Sequence, residues 1–143
     1  MIRTVYLLDT NVISELRKVR LGKADRHVAK WADSVDAADL YISVITIHEL
    51  EIGVLLSERR DPVQGAVLRA WLNDQVVPAF DARILDIGQD VAQRSAQLHV
   101  PNPQPIRDAF IAATALVHGL TVVTRNVKDF QNTGVKIINP WSH

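Results

Sequence analysis

Residues 5–11 read Val5-Tyr6-Leu7-Leu8-Asp9-Thr10-Asn11. Four apolar residues in a row, rich in strand formers, predict a short strand buried on both faces, as in a parallel sheet. The run stops at a carboxylate. An amphipathic helical pattern follows at once, with Val12, Ile13 and Leu16 set against Ser14, Glu15 and Arg17. An acid at the carboxyl end of an early parallel strand stands where open α/β sheets bind their ligands.

Outward from this point, strand and helix patterns alternate. The first helix should run from Thr10 to about Lys18, and a second from about Ala24 to Ser34, burying Val28, Trp31 and Ala32. Leu40–Ile45 reads as a second buried strand. Thr46-Ile47-His48-Glu49 then opens a helix that continues to about Arg60. A helical stripe of Val67, Leu68, Trp71 and Leu72 lies between Pro62 and Asp74. Val76–Phe80 is a weak third strand, which Pro78 makes an edge or irregular segment. Asp86, with Gln89 three residues on, predicts the capped start of a helix ending near His99. Ile106–His118 is a further helix with Gly119 at its C-terminal cap position. Leu120–Thr124 and Val135–Ile138 complete the strands. Such alternation predicts an α/β fold, a three-layer α/β/α sandwich with a central, mostly parallel sheet.

At 143 residues, with 48% hydrophobic and 22% charged content, the chain has the composition of one ordinary globular domain spanning 1–143. The absence of cysteine excludes disulfides, thiolate zinc sites and iron–sulfur clusters. No apolar run is long enough for a signal-peptide core or a membrane span, so a soluble, cytoplasmic protein with no membrane partner is expected. A net charge of zero argues against a protein that coats nucleic acid through its overall charge. A local basic face remains available: Arg17, Lys18, Arg20, Lys23, Arg26 and Lys30 surround the single acid Asp25. A solvated helix and loop surface is the competing account of those residues.

Four acids could meet at one sheet edge. Asp9 ends strand one, although a lone aspartate there could simply cap the following helix. Glu49 falls in a capping-box pattern, Thr46-x-x-Glu49, yet its helix starts at the carboxyl end of strand two. Gly53 lies on the same helix face and would allow a close approach there. Glu51 points about 200° away around that helix and cannot share the site. Asp108 forms an i, i+3, i+4, i+7 series with Ile111, Ala112 and Ala115, so it heads the stripe that packs on the sheet. Helix-dipole stabilisation, worth about 0.3–1 kcal/mol, explains an acid in a first turn but not its core-facing position. Asp129 follows the Leu120–Thr124 strand, in a loop where aspartate is also an ordinary turn residue.

Gathering carboxylates has a cost. Two of them ~5 Å apart repel by roughly 3 kcal/mol at an effective dielectric of 20. A divalent cation removes that repulsion, and an all-oxygen site suits Mg²⁺ or Mn²⁺ rather than zinc. Such an ion can orient a phosphodiester and lower the pKa of an attacking water, so metal-assisted phosphodiester hydrolysis is the expected chemistry. Phosphate-binding glycine loops, a nucleophile elbow and H-E-x-x-H are all absent. The histidines His27, His48, His99, His118 and His143 share no ligand spacing, and His48 is expected on a helix surface.

LDTNVISEL at 8–16, SVITIHELEIG at 43–53, RDAFIAATA at 107–115, VTRNVKDF at 123–130 and VKIINPW at 135–141 occur in this order along nearly the whole chain. With these blocks the sequence resembles the PIN-domain family, in particular its VapC and FitB toxins of bacterial type II toxin–antitoxin pairs. The resemblance implies a Mg²⁺- or Mn²⁺-dependent endoribonuclease whose four acids are Asp9, Glu49, Asp108 and Asp129. Thr10, Asn11, Thr124 and Asn126 match the polar positions that support them. An RNA substrate, a cognate DNA-binding antitoxin and a homodimer or higher assembly are implied as partners. Arg17, Lys18, Arg20 and Lys23 become candidate RNA contacts. Two other readings compete: a catalytically silent binding module acting through the antitoxin, and an aspartyl-phosphate enzyme built on Asp9. The second lacks its D-x-D signature, because Asn11 holds the second position.

Overall fold

A computed structural model of the protein describes residues 3–142, so His143 lies outside the described residues. Its sheet has five strands in the order β3-β2-β1-β4-β5. These are β1 (Tyr6–Leu8), β2 (Leu40–Ser43), β3 (Ile84–Leu85), β4 (Thr121–Val123) and β5 (Ile137–Ile138). Every pairing between them is parallel. β1 is central, with the chain winding to one side through β2 and β3 and to the other through β4 and β5. The order therefore reverses beside β1, and Asp9 follows its last residue.

Alternation along the strands sorts the core into two faces. Leu8, Ile42 and Val123 pack with Val12, Ile13, Trp31, Leu50, Val54, Leu72 and Val76. Their neighbours Leu7 and Val122 pack on the opposite face with Ile111, Ala112, Ala115 and Phe130. The first face is covered by α1 (Thr10–Arg17), α2 (Arg26–Ser34) and α3 (Val44–Arg60), and the second by α7 (Ile106–His118). Three layers result, as the strand and helix alternation predicts.

Three expectations need correction. Val76–Phe80 is not a strand: a π-helical turn, Leu72–Val76, extends α4 (Pro62–Trp71) and runs into α5 (Val77–Ala79). Val76 is buried in the first core face from that helical position, so its side chain is satisfied without a sheet. The third strand is Ile84–Leu85, two residues long. Secondly, Asp86 caps nothing, because α6 (Gln89–Leu98) starts after Gly88. Thirdly, α3 begins at Val44 under a Ser43 cap whose hydroxyl accepts from the Ile45 amide at 3.0 Å. The Thr46–Glu49 capping box therefore does not form.

α3 and α4 pack closely through Gly65, not Gly53. A Cβ at Gly65 would lie 2.4 Å from the Glu58 Cα, whereas one at Gly53 would meet nothing within 4 Å. Arg69 clasps the same pair of helices, reaching both Glu51 oxygens at 2.7 Å and Glu58 at 3.0 Å and 3.2 Å. Glu51 is thus engaged away from Glu49, as its position on the helix requires. Gly119 ends α7 in the left-handed conformation at φ 69°, where a residue without Cβ is unstrained.

Candidate carboxylate site

Asp9 is fully buried, 0% exposed, at the carboxyl end of the central strand. One oxygen accepts from the Thr10 amide at 2.8 Å, and the other accepts from the buried Thr124 hydroxyl at 2.8 Å. The cap is therefore partial: Asp9 reaches the first amide of α1 and spends its second oxygen on β4's far end. Thr124 is itself fixed by the Asn126 amide, 3.0 Å from its hydroxyl oxygen. Asn11 spans the same junction, with its amide nitrogen 3.4 Å from Thr124 and its oxygen 3.4 Å from the Arg125 amide.

Glu49 stands in the second turn of α3, half-buried, facing α1. The Thr10 hydroxyl donates to it at 2.5 Å and lies 3.2 Å from the Thr46 hydroxyl. Thr46, buried and part of no site expected from the sequence, thereby buttresses the pair. Asp108 is 8% exposed in the first turn of α7, on the sheet-facing stripe with Ile111, Ala112 and Ala115.

What joins these three acids is Arg107, the first residue of the RDAFIAATA block, to which the resemblance assigns no role. Each nitrogen of the Arg107 guanidinium faces a different carboxylate. Nε donates to Glu49 at 2.7 Å, Nη1 to Asp108 at 2.8 Å, and Nη2 to Asp9. The sequence carries only a faint signal of it, since a cation in a first helical turn opposes the helix dipole and asks for a reason.

Glu49 and Asp108 respond differently. Burial pushes Glu49 up, but the hydrogen bonds from Arg107 and Thr10 outweigh it and hold the carboxyl below its ordinary range. For Asp108 burial dominates: it is raised despite Arg107, with the charges of Asp129 and Asp9 adding to the rise. Arg107 loses proton affinity to burial but gains more from Glu49 and Asp9, so it stays firmly charged.

Asp129 is exposed on the 3₁₀ turn Val127–Asp129, and among the described residues its side chain joins no hydrogen bond of this cluster. It sits near enough to Asp108 to influence its ionisation, at the rim rather than in the centre. Asn126, Lys128 and Asp129 line an adjoining cleft of about 410 Å³. Thr10, Asn11 and Thr124 thus meet at the acids, while Asn126 contributes through its backbone.

The basic residues lie further along. Arg17 and Lys18 line a cleft of about 310 Å³ that starts at Thr10 and Glu49 and ends at Trp71. Arg17 stacks on Trp71 at 5.8 Å, and Arg20 reaches Gln75 at 3.2 Å. Lys18 pairs with Glu15 at 3.3 Å, and Lys23 is exposed. His48 is exposed on α3, as expected.

The family described as PIN domain matches residues 6–136. The chain is 36% identical over 142 residues to VapC ribonuclease Y4jK of Sinorhizobium fredii, covering 96% of this chain and 98% of that one. It is 37% identical over 142 residues to Toxin FitB of Neisseria gonorrhoeae, covering 96% and 99%. Its structure superposes on that of FitAB bound to an IR36 DNA fragment with a TM-score of 0.86 at 34% identity, over 96% of each chain.

Proposed function

The chain belongs to the PIN-domain family, and from that premise we propose that it is the ribonuclease toxin of a type II toxin–antitoxin pair, hydrolysing RNA phosphodiesters with Mg²⁺ or Mn²⁺. The observation that carries the reading is that Asp9, Glu49 and Asp108, from three separate elements, all contact one cationic group. A guanidinium stands there as a stand-in for a cation, and the donors around it are all oxygen, which suits a hard divalent ion.

Asp9, Glu49 and Asp108 would hold the ion, with Asp129 completing the site from the rim. A bound ion supplies orientation of the phosphodiester, stabilisation of developing charge and a more acidic attacking water. The protein's part is rigidity. Thr124 and the Thr10 amide fix both Asp9 oxygens, and Thr10 with Thr46 fixes Glu49, so these two acids are held in place before substrate arrives. Residues 1–143 would act as a single nuclease domain in the cytoplasm, as a dimer or higher assembly. The partner would be a DNA-binding antitoxin, as the likeness to FitAB on DNA supports.

One observation favours a second reading. Among the described residues no three His, Cys, Asp or Glu groups are spaced to hold a metal ion together. A silent binding module could retain the acids as an ion-paired cluster with Arg107. A thermal melt with and without Mn²⁺ separates the two. A nuclease site predicts stabilisation of the wild type, about 2.7 kcal/mol at a hundredfold excess over Kd, and none in Asp9→Asn. No shift in the wild type would favour the silent module.

A further inference from the structure

Arg107 belongs to the chain's own active edge, yet neither the acid pattern nor the expected hydrolysis uses it. Its side chain is about a third exposed, its three nitrogens are spread over three carboxylates, and Nη2 also lies 3.3 Å from the Thr10 hydroxyl. Each carboxylate meets a different nitrogen of the guanidinium, and among the described residues no three acids are spaced to hold a metal ion together.

We infer that Arg107 is a built-in occupant of the cation seat: its guanidinium and a divalent ion exclude one another, so the chain loads metal only by expelling its own arginine. The inference rests on the carboxylate reading proposed above. Three physical arguments support it. Arg107 and Asp108 are adjacent in sequence, so the competitor is tethered and acts at a high effective concentration that dilution cannot lower. Position two of α7 is otherwise unfavourable for a cation, and Pro105 before the helix gives no side-chain cap. The carboxylates are therefore what keeps the arginine in place. Finally, one positive charge against Asp9, Glu49 and Asp108 leaves the cluster under-neutralised, so a doubly charged ion can still win.

Such competition lowers apparent metal affinity in proportion to the fraction of chains whose arginine has left the seat. A cell-level consequence follows: metal-poor toxin would be closed by its own side chain, without the antitoxin.

The test is Mn²⁺ binding, read from the paramagnetic resonance signal of free Mn²⁺, for the wild type, Arg107→Gln and Arg107→Lys. Arg107→Gln should bind Mn²⁺ about tenfold or more tightly than the wild type, with Arg107→Lys between them. Without metal, Arg107→Gln should melt lower, and Mn²⁺ should restore it by a larger shift than in the wild type. Arg107→Lys keeps the charge and loses only the fork, so it carries the comparison if the glutamine variant does not fold. Equal or weaker affinity in the variants, with binding still abolished by Asp9→Asn, overturns the inference and leaves the site reading standing. No Mn²⁺ binding by the wild type or either variant overturns both.

Discussion

Glu49 and Asp108 touch the same guanidinium and yet shift in opposite directions: both are raised by burial, but Glu49 adds a strong hydrogen bond from Thr10, whereas Asp108 lacks one and is raised further by the charges of Asp129 and Asp9. Carboxyl-carbon NMR of the metal-free protein should therefore find Glu49 titrating below, and Asp108 above, the ordinary value for its residue type. Glu49, depressed on folding, stabilises the native state above its unfolded value, and that contribution is lost as pH falls through its folded value. Asp108, raised on folding, destabilises the native state above its folded value, and acidification through that value relieves it. Reversed shifts in the titration would break this account of the site. Glu49→Gln keeps the shape and the Thr10 hydrogen bond but loses the charge, so RNA cleavage in Mg²⁺ should disappear while the fold persists. A folded variant that still cleaves would remove Glu49 from the chemistry. Asp9 and Asp108 are legible in sequence because burial of an acid at a strand end or on a core stripe contradicts its bland role. Arg107 is not, since nothing in the chain order says that its nitrogens reach α3 and β1.

Elements are legible where a pattern runs long enough to show its period. α7 is the clearest case, with its alanine stripe and Gly119 stop. β3 escapes a sequence reading because Val76-Val77-Pro78-Ala79-Phe80 has strand composition, whereas the real strand, Ile84–Leu85, is too short to show alternation. Packing overrides propensity there: Leu72 and Val76 bury into the core one turn apart, which holds the segment helical. The start of α3 is ambiguous for a related reason, in that Ser43 and Thr46 both offer caps and only the strand's end chooses between them. Gly65 decides how α3 and α4 meet. Replacing it with alanine gains about 1 kcal/mol of helix propensity. Against this, the new Cβ would meet Glu58 backbone at 2.4 Å and 2.7 Å. Overpacking costs about 1–3 kcal/mol, more where backbone must move. Gly65→Ala should therefore lower the melting temperature, while Gly53→Ala, with open space around it, should leave it unchanged or raise it. Equal effects at the two sites would mean that α3 and α4 can part at little cost.

Across the whole molecule the formal charges cancel, 16 basic against 16 acidic residues, so any attraction to RNA must come from where they are placed. Acids are concentrated at the sheet edge, which by itself repels a phosphate backbone. Arg17 and Lys18 flank the cleft that begins at that edge, and Arg20 and Lys23 continue beyond it on the exposed turn after α1. Their engagements differ. Arg17 is stacked on Trp71 and Arg20 is bonded to Gln75, while Lys23 is exposed. A residue that only solvates the surface and a residue that binds phosphate respond differently to salt. For single strands the logarithm of affinity falls with that of salt by about 0.7 per phosphate neutralised. Reversing Arg20 and Lys23 to glutamate should weaken RNA binding and flatten that slope by about 0.7 for each phosphate no longer neutralised. Binding is best measured with Asp9→Asn so that cleavage does not intervene. An unchanged slope would return both residues to the solvated face. The basic residues left to orient RNA at the proposed site would then be Arg125 and Lys128, which line the cleft beside Asp129.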